Sequence, residues 1–180
     1  TLFELAERQS DRGVRRGLIL AMATPRNQPR WQLLTRLVQD RLVTLYRDDP
    51  DPEIHAALLA VLKNYGQHDA LERIDRELVE RDRPWDGTHL DGRGWFVNSL
   101  GQTLIVVDGR WSVPLPAGLA PFALAMTETT RRQYQQLRPQ IPLPDVAPAR
   151  PDLPIGGVSF NQAIEFCQEL SIREGVPVGE

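Results

Sequence analysis

The sequence has 180 residues, enough for one medium domain or two small ones, and its 41% hydrophobic and 25% charged residues are the balance of an ordinary globular protein. A formal net charge of −3 creates no field that would gather nucleic acid or an anionic membrane surface, and no apolar run approaches the ~20 residues needed to cross a bilayer. The single cysteine excludes an internal disulfide framework and fits a reducing compartment, so the expected location is cytoplasmic, with no nucleic-acid and no membrane partner. The opening "TLFELAERQSDRG" lacks the charged-then-apolar pattern of a secretion signal.

The chain changes grammar near "RDRPWDGTHLDGRG", 81–94, which is rich in Pro, Gly and Asp and has no periodicity. Only four of the fifteen prolines precede it. This places a helical region at 1–83, a linker at 84–92 and a mixed region at 93–180. In the first, Leu2, Leu5 and Ala6 mark the tail of one helix. "SDRGVRRGLILAMA" opens a second, capped by Ser10 or Asp11. "RWQLLTRLVQDRLVTLYRD" puts Leu33, Leu34, Leu37, Val38, Leu42 and Leu45 on one face. In "DPDPEIHAALLAVLKNYG" Asp51 caps, Pro52 takes the first helical position and Gly66 stops the helix. "DALERIDRELVE" is a last short helix. Asp11, Val14, Leu18, Ile19 and Met22 recur as Asp51, Ile54, Leu58, Leu59 and Leu62, each pair 40 residues apart. That offset matches HEAT-type helix pairs, with their ~40–47-residue period, in which neighbours stack because no pair can bury its apolar face alone. An irregular helical bundle is the plainer alternative.

Beyond the boundary, "WFVN" and "QTLIVVD" flank "SLG" and read as a β-hairpin with Asn98 and Gly101 in the turn. "PFALAM" reads as a further strand. Thr130 with Gln133, and Ser159 with Gln162, have capping-box spacing for the helices "RRQYQQL" and "FNQAIEFCQELSIREG". Between them the segment 138–154 holds six prolines and is expected to run extended over a surface. Ala163, Phe166, Cys167 and Leu170 form the expected apolar stripe of the last helix, with Gly175 its stop.

"FALAMTETTRRQYQQL" followed by "LPIGGVSFNQAIEFCQEL" resembles the formylglycine-generating enzyme (sulfatase-modifying factor) family. The resemblance is carried by Glu128, Thr130, Tyr134, Pro154, Val158, Ser159, Ala163, Phe166, Cys167 and Leu170, and by "RGWFVNSLGQTLIVVDG" as the opening strand pair. Phe160 replaces a usual Trp, Gln162 a usual acid and Glu169 a later Trp. "GRWSVPLPAGLA" shortens a region that the family usually fills with a Phe-x-Met-Gly stretch and an acidic loop. The implied fold class is α+β: HEAT-like helical repeats at 1–83, then at 93–180 the N-terminal part of a C-type-lectin-like, formylglycine-generating-enzyme-like domain. The copper cysteines of the family's oxidase members belong to its later half, and nothing here aligns with them. Cys167 sits at an early, core-facing position and reads as a buried packing residue.

Other motifs give little chemistry. His55, His68 and His89 lack metal-ligand spacing. "DDPDPE", 48–53, lacks the glycine and terminal glutamate of a calcium loop and reads as a loop with a helix cap. "GGVS", 156–159, is too short for a phosphate loop. Arg131 and Arg132 open a helix against its dipole and read as a solvated face, with a partner carboxylate as the alternative. Trp31, Trp85, Trp95 and Trp111 show neither spacing nor basic interleaving for base stacking. No catalytic, cofactor-binding or metal-ligating residue stands out, and no cofactor is expected in this chain. Phe160, Ile164, Phe166, Leu170 and Ile172 need more apolar cover than a hairpin provides, so residues 93–180 read as part of a domain completed by further polypeptide. The expected function is a non-catalytic binding or regulatory part of a larger protein. Its partner would be a protein or the rest of the same polypeptide. The alternative is the front part of an oxidase that converts a target cysteine to formylglycine.

Overall fold

A computed structural model describes residues 2–23, 35–82, 92–109, 115–119, 121–141 and 150–175. The fold is mixed α+β, with seven helices and one three-stranded antiparallel sheet among the described residues. It divides into two compact units, Thr1–Leu78 with Gly92–Gly94, and Val79–Asp91 with Trp95–Glu180. Apart from Gly92, the expected linker lies outside the described residues, as do Leu33, Leu34, His89 and residues 142–149 of the proline-rich segment.

The first unit is built from α1 (Leu2–Glu7), α2 (Arg12–Met22), α3 (Arg36–Asp48), α4 (Pro52–Asn64) and most of α5 (His68–Arg81). Each of α2, α3 and α4 begins where a side chain takes up a free N–H. The Asp11 carboxylate accepts from Val14, Thr35 from Val38, and Asp51 from Glu53, with Pro52 inside the first turn. Gly66, at φ 73°, supplies the left-handed turn after α4 that other residues resist. Helix α1 packs on α2, α2 on α4 and α3 on α4. Helix α4 is the centre: Ile54, Leu58, Val61 and Leu62 are fully buried, each contributing about 1.5–3 kcal/mol. Leu37 departs from the expected face and is 78% exposed. Thr35 starts the helix, so Leu37 falls in its first turn, ahead of the Leu42–Tyr46 pair that is buried.

The second unit holds β1 (Trp95–Val97), β2 (Thr103–Val107), β3 (Phe122–Ala125), α6 (Arg131–Leu137) and α7 (Phe160–Glu174). Strand β2 lies between β1 and β3, antiparallel to both, with Trp95 opposite Ile105 and Ile105 opposite Leu124. Gly101 turns the hairpin at φ 68°. Both expected capping boxes form, Thr130–Gln133 and Ser159–Gln162. The end of the proline-rich segment lies along the start of α6: Arg131 N–H donates to the Leu153 carbonyl, Arg132 N–H to Pro151, and Ile155 N–H to Thr129, at 2.8–3.0 Å. Arg132 also meets the Asp152 carboxylate at 2.6 Å, whereas Arg131 is buried rather than solvated.

Asp51 carries two tasks, capping α4 and accepting from the Arg12 side chain of α2. Asp51→Ala should cost about 2 kcal/mol, combining a lost cap with a half-exposed ion pair, and Asp51→Asn, which restores the cap, about half of that. Urea midpoints of the three chains check the order.

Candidate functional site

Among the described residues, no group of three or more His, Cys, Asp or Glu side chains is placed to hold a metal ion. The residues that the sequence singled out have other surroundings. His55 is fully buried, its ring stacked on Tyr46 at 4.4 Å, with Nδ1 2.8 Å from the Tyr46 carbonyl. His68 starts α5 and is exposed. The acidic run 48–53 is a loop and cap. Asp49 accepts from the Asp51 N–H at 3.1 Å and from Arg15 Nη2 at 2.6 Å, while Asp51 takes Arg12 and the Glu53 N–H. Two buried carboxylates are thereby neutralised by two arginines one turn apart on α2.

A second polar cluster joins α3 to α5. The Tyr46 hydroxyl donates to Asp75 Oδ1 at 2.6 Å. Burial raises the Asp75 carboxyl above its ordinary range, outweighing the Tyr46 hydrogen bond and Lys63, while Glu72 adds to the rise. Sequence periodicity singled out neither residue. Asp75 stands in a helix whose other acids face solvent, and only the pairing with a helix 29 residues away distinguishes it.

In the second unit the buried side chain of Asn98 accepts from the N–H groups of Leu100 and Gln102 and donates to Gln102 Oε1 at 2.9 Å. Gln102 passes the chain of bonds to Thr129 Oγ1 at 3.2 Å and, more weakly, to Gln133, which also caps Thr130. Tyr134, on the helix that this network anchors, stacks on Phe166 of α7 at 5.3 Å. Leu100, Ile155, Val158 and Leu170 complete that core. Arg138 fastens the same helices, donating to Glu165 Oε2 at 2.7 Å and lying 3.4 Å from Glu169 Oε1. Thr130, Tyr134, Val158, Ser159, Phe166 and Leu170, all quoted for the family resemblance, are thus caps or members of one core, while Glu128 is exposed.

Cys167 is exposed, not the buried packing residue that its place in the sequence pattern suggests. Arg138 holds α7 by Glu165 and Glu169, which turns Phe166 and Leu170 inward. Cys167, seven residues after Phe160, lies at the edge of the buried stripe and on the adjoining one with Phe160 and Ile164. That stripe is open, with Phe160 79% exposed and Ile164 also exposed, and Ile172, further round the helix, is exposed too. The sheet has a similar open part. Phe96, Leu104, Val106, Ala123 and Ala125 pack on one face. The other carries Trp95, Val97, Ile105, Val107, Phe122 and Leu124, buried at β1 but open at β3, where Leu124 is 59% exposed. A sheet apolar on both faces is built to be covered on both.

No family model matches the chain, and neither a curated protein nor a solved structure matches it. No helix among the described residues is long and apolar enough to cross a membrane.

A raised native pKa means that the folded chain holds the Asp75 proton more tightly than the unfolded chain. The contribution to stability is full below the ordinary carboxylate range and is lost as pH rises through the native value. Asp75→Asn keeps an acceptor for Tyr46 without the charge. The variant should gain stability relative to the parent as pH rises above the ordinary carboxylate range and through the native value, measured by thermal melts from about pH 4 upward. A constant difference would mean that the carboxylate is not held above its ordinary range.

Proposed function

We propose that this chain is a non-catalytic binding or regulatory part of a larger formylglycine-generating-enzyme-like protein. In this reading residues 1–83 are a HEAT-like interaction surface and residues 93–180 the first part of a C-type-lectin-like domain. The observation that carries the proposal is the open apolar surface of the second unit: Phe122 and Leu124 on β3, with Phe160, Ile164 and Ile172 on α7. Isolated exposed hydrophobics are common, but here they continue a two-faced sheet and a helix whose other side is already seated. Further polypeptide of the same protein covers them. The HEAT-like assignment is supported by the 40-residue offset, which relates the caps Asp11 and Asp51 and links two helices, α2 and α4, that pack together. A lone cysteine and a small net charge favour a cytoplasmic setting with a protein, not a nucleic acid, as partner.

Hydroxyl-radical footprinting of this chain and of the full-length gene product tests the proposal. Phe160, Ile172, Phe122 and Leu124 should be oxidised several-fold more slowly in the longer protein, while exposed Leu37 should react equally in both. Equal rates at all five residues would sink the reading. A cysteine-containing peptide incubated with the full-length protein, copper and oxygen should gain no aldehyde at that cysteine. Appearance of an aldehyde at that cysteine would establish the oxidase instead.

A further inference from the structure

We draw no further inference here: the strongest candidate, the exposed apolar patch of Phe160 and Ile164 on α7, belongs to the open surface already described, and nothing in the structure shows a further occupant for it.

Discussion

A buried carboxylate cannot stay charged in an apolar setting without a partner, and two of them, Asp49 and Asp51, sit in the turn between α3 and α4. That constraint organises the first unit. Arg12 and Arg15 must approach from α2, so α2 is held against the start of α4 at a fixed register. Once it is there, Ile19 and Met22 are buried, α1 closes over α2 with Phe3 and Ala6, and α3 follows because it enters the same turn. The Tyr46–Asp75 bond then ties α5 to α3. The apolar burial supplies most of the free energy, and the ion pairs decide which arrangement receives it.

The second unit solves a different problem. A two-stranded hairpin is marginal alone, and here it gains both a short third strand and an anchor outside the strands. The Asn98–Gln102–Thr129 chain of bonds supplies one, using a turn residue to satisfy two backbone donors and passing the connection to the start of α6. From α6 the Tyr134–Phe166 stack and Arg138 carry the order to α7. Glu174, at the end of α7, returns to the hairpin by accepting the Ser99 N–H. The polar groups close a loop through hairpin, α6 and α7, so the order of β1, β2, α6 and α7 does not depend on what lies over Leu124 or Phe160.

Local chemistry was legible in the sequence. Asp51, Thr130 and Ser159 were identifiable as caps, and Asp11 as one of two candidates, because a cap depends on residues two or three positions away. The hairpin and its Gly101 turn were legible for the same reason, and so was the mixed α+β character. What failed depended on partners distant in sequence. Cys167 lies on one edge of an amphipathic stripe, and the side of α7 that turns inward is set by Arg138, some 30 residues earlier. Arg131 has nothing local to mark it as buried, because its cover arrives from residues near 153. Among the surface features, Phe160 and Ile164 were recognisable as needing cover, whereas the open face of β3 depends on the strand pairing.

Strand β3 has a consequence for how the sequence can change. It stands at an edge of the sheet, uncharged and apolar on both faces, and such an edge is a template for unwanted pairing with other chains. Its safeguards are brevity and punctuation: four residues, a proline at 121 before them, and Thr127 and Glu128 shortly after. A longer strand here, or the loss of Pro121, would turn the edge into an aggregation seed. Drift in this stretch is held to its length as firmly as to its hydrophobicity.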